Sequence, residues 1–307
     1  GRHNRPARQS VRYLGNGAAT MVYRLRTNQL QINVHPTVVV CADPEDDNFL
    51  LAESKRLAGD LKLPLLDQIQ NRDIEMILAA TPTRLELRIV GGDPLLCGGR
   101  PVYVNLDKID TRSSAGRRVR QPLAKAVGLS HRASAPTIID ATAGYGEDAY
   151  LLAGLGCQVL AIERQPLVVA LCRDGLLRAD AVLDPGGHGR IHLVQADSYH
   201  VLNGLIKRSS IRGGLDLPAY LKHFIVPDVV YLDPMFPPTR KAAERKPMRV
   251  LRRLVGDDCD AGQLLQLALK VARKRVVIKR PLHGPFLADR PTTVHKGNAT
   301  RYDVYMT

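Results

Sequence analysis

Beyond Pro136 the chain alternates short apolar runs with longer segments of helical character, and no other feature constrains its fold as tightly. The runs fall at 137–139, 158–162, 191–194, 229–232, 275–278 and 302–305. They are mostly apolar, interrupted by single polar residues such as Gln158, His192, Arg275 and Asp303. Strand, helix, strand in that rhythm predicts an α/β domain: a mostly parallel sheet with helices on both faces.

What precedes this region differs. Residues 36–110 hold an apolar run at 37–40, an amphipathic helix at 50–61 and strand candidates at 84–90 and 101–105, which together predict a small α+β domain. From 110 to 136 the chain is polar and basic, so the expected organisation is a basic extension (1–35), the small domain (36–115) and the α/β domain (116–307). The first 42 residues carry six arginines, Arg2 to Arg26, and no acid. Such a segment fits an organellar transit sequence or a basic tail that lies on RNA, which places the chain in the mitochondrial matrix or, if bacterial, the cytoplasm.

Composition narrows the partners. A formal charge of +14 points to a polyanion such as nucleic acid. No apolar run approaches the roughly 18 residues of a membrane span. The five cysteines are scattered without a CxxC pair, and the histidines lack ligand spacing, so neither a disulfide framework nor a metal site is expected.

The chemistry should sit where strands end. IIDATAGYGEDA places Gly144 and Gly146 between the first strand and the next helix, where a ligand's approach to the backbone is unhindered. Glu163 closes the second strand, placed to accept the two hydroxyls of a ribose. Ala149 completes a GxGxxA pattern, so a nicotinamide enzyme stays open here. Asp197-Ser198 ends the third strand, where the acid can accept from an adenine amino group. The fourth strand ends in Asp233-Pro234-Met235-Phe236. An exocyclic nucleobase amine is a weak nucleophile, and two acceptors, the Asp233 carboxylate and the Pro234 carbonyl, could hold its N–H groups and aim the nitrogen. Phe236 would stack on the base, worth about 1–3 kcal/mol.

DATAGYGEDA, the acid in AIERQP, VVYLDPMFPP with KPMRVLRRLVG, RVVIKRP and RYDVYM, in this order, resemble the 16S ribosomal RNA guanine-N2 methyltransferases of the RsmJ type. The resemblance spans roughly residues 115–307. It implies a class I (Rossmann-like) fold, S-adenosyl-L-methionine as cofactor, and methyl transfer to a guanine amine of small-subunit ribosomal RNA. It also implies cofactor contacts at Asp140, Glu147, Asp148, Glu163, Arg164, Asp197, Ser198 and Asp233. Two rivals share these features: a DNA amino-methyltransferase and a silent assembly factor that binds ribosomal RNA.

Arg240, Lys241, Arg245, Lys246, Arg249, Arg252 and Arg253 follow the Asp-Pro turn with only Glu244 opposing them, which predicts a phosphate-binding surface beside the site. Lys279 and Arg280 end the fifth strand at the same edge and are candidates for phosphate or base contacts. Residues 206–226 read as an insertion before the fourth strand.

Overall fold

The computed structural model describes residues 23–24, 37–69, 74–111, 113, 121–130, 134–180, 190–209, 224–235, 245–256 and 260–307. Phe236, Arg240, Lys241 and most of the 206–226 insertion lie outside the described residues. The chain divides into two compact units between Tyr103 and Val104, with a two-residue strand, β1 (Tyr23–Arg24), belonging to the second.

In the first unit β2 (Val38–Ala42), β3 (Met76–Ala80) and β4 (Leu85–Ile89) form a sheet in that order, β2 parallel to β3 and β3 antiparallel to β4. Helix α1 (Asn48–Leu61) packs Leu50, Leu57 and Leu61 inward. It starts at Asp47, whose Oδ1 accepts from the amides of Phe49 and Leu50 at 2.9 and 3.0 Å, and satisfies donors the helix itself cannot. The strand at 76–80, MILAA, was not among the expected ones. An alanine-rich apolar run carries no period-2 signal, and here it is the central strand. The stretch at 101–105 forms no strand: only Val102 bridges, to Leu87, with amide–carbonyl distances of 2.7 and 2.8 Å. Pro101 has no amide to extend the pairing.

The second unit carries β5 (Thr137–Asp140), β6 (Gln158–Glu163), β7 (Ile191–Gln195), β8 (Val229–Leu232), β9 (Arg275–Pro281), β10 (Thr293–Lys296) and β11 (Thr300–Met306). With β1 they form one sheet ordered β1-β7-β6-β5-β8-β9-β11-β10. Every pairing from β1 to β9 is parallel, and β11 and β10 close the sheet antiparallel. All six expected strands are present. The unexpected β10 is an exposed edge strand, TVHK, with no buried residue to betray it.

Helices α2 (Pro122–Ala126), α3 (Glu147–Gly154), α4 (Pro166–Asp180), α5 (Ser198–Ser209), α6 (Lys246–Val255) and α7 (Ala261–Val271) complete the unit. One core layer joins Ile139, Ile162, Val194, Val230 and Ile278 of the sheet to Leu202 of α5 and to Leu264, Leu265 and Ala268 of α7. Because β5 lies between β6 and β8, the chain leaves β5 towards one side of the sheet and later fills the other. A crevice therefore opens at the carboxyl ends of β5 and β8, the place where sheets of this kind bind ligands.

Candidate active site

The turn after β5 forms the floor of that crevice. Gly144 and Gly146 have φ of +53° and +78°, a region costly for residues with a Cβ. At Gly146 a Cβ would also lie 2.6 Å from Cys172 Sγ. Gly146 caps α3, whose first turn presents Glu147 and Asp148. Glu163, almost fully buried, closes β6 and accepts from the amides of Gly144 at 3.0 Å and Gln165 at 2.7 Å. These bonds fix its carboxylate at the ends of β5 and β6 together.

Asp197 receives the amides of Tyr199 at 2.8 Å and His200 at 3.3 Å, so the same carboxylate caps α5 and faces the crevice. Ser198 Oγ donates to the Ala141 carbonyl at 2.6 Å, tying α5 to β5. Asp140 is wholly buried beneath them. Burial, reinforced by the charges of Asp148 and Asp233, pushes its pKa well above the usual carboxylate range.

At the end of β8 the Asp233 amide donates to Thr142 Oγ1 at 2.6 Å, which sets the turn against β5. Lys279 of β9 reaches across and lies 3.1 Å from Asp233 Oδ2 and 2.7 Å from Asp148 Oδ2. Tyr231 donates its hydroxyl to the same Asp148 oxygen at 2.6 Å. Burial disfavours the charged ammonium, but the two carboxylates outweigh it and hold the Lys279 pKa far above that of an ordinary lysine. Lys279 therefore stays charged across the working pH range and links two acids of the site.

Helix α6 forms one wall. Met248, Leu251 and Val255 line the crevice, while Tyr145 Oη donates to the Pro247 carbonyl at 3.2 Å and Gln165 Nε2 to that of Leu254 at 3.1 Å. Lys246, Arg249 and Arg253 share another face of the helix, at i, i+3 and i+7. Arg164 lies 3.6 Å from Asp260 at the rim.

The crevice thus brings together Asp140, Gly144, Glu147, Asp148, Glu163, Arg164, Asp197, Ser198, Asp233, Pro234 and Lys279, with Gly146 in the turn beside it. Arg280 is turned away from it. Successive strand residues point to opposite faces, and its guanidinium is buried and donates to the Pro285 carbonyl at 2.6 Å. Tyr231, Thr142 and Gln165 are components the sequence reading passed over. A tyrosine inside the buried run VVYL was the available signal, because a buried hydroxyl requires a partner.

Among the described residues, six acids besides the buried Asp140 line the crevice (Glu147, Asp148, Glu163, Asp197, Asp233, Asp260) against two cations, Arg164 and Lys279. This inverts the charge of a chain that is +14 as a whole. A dinucleotide would bring its pyrophosphate against Glu147 and Asp148, whereas S-adenosylmethionine brings a sulfonium and an ammonium. The residues fit the second ligand and oppose the first.

Comparison with known proteins agrees. The family model for SAM-dependent methyltransferases matches residues 62–307. The ribosomal RNA small subunit methyltransferase J of Coxiella burnetii (strain RSA 331 / Henzerling II) is 42% identical over 260 residues, covering 83% of this chain and 92% of its own. The protein of the same name from Tolumonas auensis is 39% identical, covering 89% and 99%. A crystal structure of a SAM-dependent methyltransferase from Neisseria gonorrhoeae superposes with a TM-score of 0.57 at 29% identity, covering 88% of this chain and 95% of that one. These relatives are bacterial and lend the mitochondrial expectation no support. The chain belongs to the ribosomal RNA small subunit methyltransferase J family of S-adenosylmethionine-dependent methyltransferases.

Proposed function

We propose that the chain methylates the exocyclic N2 amine of a guanine in small-subunit ribosomal RNA, naked or within an assembling subunit. The observation that carries this reading is Asp233-Pro234 at the mouth of the acidic crevice, held by Thr142 on one side and Lys279 on the other. The names of the relatives support the RNA class. Bound S-adenosylmethionine supplies an electrophilic methyl group. Glu163 would hold its ribose and Asp197 its adenine.

The protein's own contribution is positioning. The guanine N2 lone pair is delocalised into the ring, so little nucleophilicity is available until the nitrogen is aimed. The Asp233 carboxylate and the Pro234 carbonyl accept its two N–H groups and fix the direction of the lone pair. The methylated nitrogen is acidic enough to lose its surplus proton afterwards, and no base is needed beforehand. Asp233→Ala should lower the rate of methyl transfer to unmodified small subunits by at least about 100-fold, with the melting temperature nearly unchanged. A comparable loss of melting temperature would make the turn structural and sink this assignment.

A further inference from the structure

The loop after β9 and the edge strand β10 build a second pocket, apart from the crevice. It is lined by Leu282, Phe286, Arg290, Thr292, Lys296 and Arg301 among others, with no carboxylate among the described residues of the lining. Its volume, about 440 Å³, is that of a small-molecule site. Its construction is rigid. Arg301 is buried, and its guanidinium donates to the carbonyls of Leu282 at 3.0 Å and Gly284 at 2.6 Å and to Asp303 at 2.8 Å, which fixes the loop on β11. The far end of the loop is held by Tyr305 Oη, which donates to the Asp289 carbonyl at 3.1 Å. Phe286 lies on this base, its ring 4.7 Å from the Arg301 guanidinium carbon, yet remains 45% exposed.

An aromatic ring backed by a buried cation, open to solvent and flanked by the exposed Arg290 and Lys296, is a platform for one base and its phosphates. The register places it at the active edge of the sheet. Arg301 pairs with Arg280, the neighbour of Lys279, and Lys296 pairs with Arg301. Two strand spacings, about 10 Å, separate β10 from β9, so one RNA strand can reach both sites.

We propose that this pocket binds an unpaired nucleotide of the substrate RNA other than the methylated guanine, its base stacked on Phe286 and its phosphate between Arg290 and Lys296. The proposal rests on the reading of the chain as an RNA methyltransferase. A duplex keeps its base faces stacked inside, so the pocket selects single-stranded RNA.

The test compares Phe286→Leu, which keeps bulk and loses the ring, with Phe286→Tyr, which keeps the ring. Binding of a short single-stranded oligoribonucleotide and of a duplex of equal length is measured, together with methyl transfer to unmodified small subunits. Phe286→Leu should weaken single-strand binding at least about fivefold and raise KM for the subunit, with kcat and S-adenosylmethionine affinity retained. Phe286→Tyr should restore both. Arg290→Gln with Lys296→Gln should flatten the salt slope of binding by about 0.7, the share of one single-strand phosphate. Single-strand affinity unchanged by Phe286→Leu, or a preference for duplex, would overturn the proposal. Absence of methyl transfer by the parent protein would instead count against the enzymatic reading, since the oligoribonucleotide arm does not depend on it.

Discussion

Lys279 is the residue whose role the structure changes most. Read from the sequence, it was a cation at a strand end and a candidate for RNA. In the fold it is a largely buried link between Asp148 and Asp233, with Tyr231 completing the group. Its ammonium lies against the Asp233 carboxylate that the proposed mechanism uses as an acceptor. Lys279→Met leaves Asp148 and Asp233 without their shared cation, so methyl transfer should slow by at least about tenfold, and Lys279→Arg should restore part of the rate. A rate equal to the parent's would show that Lys279 takes no part in holding Asp233. Glu163 was legible from its place at the end of a strand after a glycine turn, because strand-end acids follow from topology. Tyr231 and Thr142 were not, since their partners lie far away in sequence and only the folded sheet edge brings them within reach.

At the scale of elements the two edges of the sheet divide the labour. The carboxyl edge carries the candidate site, and the amino edge of β5, β8 and β9 is clamped by Asp228. That carboxylate accepts from the Thr137 amide at 3.2 Å and from Arg273 Nε at 2.9 Å, with Lys274 Nζ at 3.1 Å. Burial raises its pKa, but the bonds from Arg273 and Lys274 prevail and hold it below the usual value. A depressed folded pKa stabilises above the unfolded one: the contribution is complete above about pH 4 and is lost as pH falls through the depressed value. Asp228→Asn should cost about 1–3 kcal/mol of stability, read as a lower denaturation midpoint at neutral pH. The variant's deficit should shrink under acid, and its S-adenosylmethionine affinity should match the parent. A midpoint equal to the parent's would contradict the clamp. The strands of this sheet were legible because short, mostly apolar runs recur at regular intervals between helical segments. β3 and β10 escaped for opposite reasons: alanines give no period, and an exposed edge gives no hydrophobicity.

Across the whole molecule, charge is sorted by ligand. The chain is strongly basic, yet its crevice is acidic, and lysines and arginines gather on α6 and around the pocket beyond β9. The two ligands should therefore respond differently to salt. Affinity for small-subunit ribosomal RNA should fall steeply with ionic strength through counterion release, while S-adenosylmethionine affinity should change little. Replacing Arg245, Lys246 and Arg249 by Gln should flatten the RNA slope by about one unit for each phosphate no longer neutralised. An unchanged slope would remove α6 from the RNA surface. The net charge announced a polyanionic partner from the sequence alone, but the inversion at the crevice could not be read there, because it depends on carboxylates from four strand ends and two helices converging.

The atom that receives the methyl group separates the proposed reaction from its rivals. Small subunits lacking the modification, incubated with the protein and S-adenosylmethionine carrying an isotopically labelled methyl, can be digested to nucleosides and resolved by mass spectrometry. Label should appear in N2-methylguanosine at a single position of the small-subunit RNA, and should be lost with Asp233→Ala. Label on a ring nitrogen, on ribose or on another base, or no label despite tight binding of both ligands, would overturn the proposed reaction.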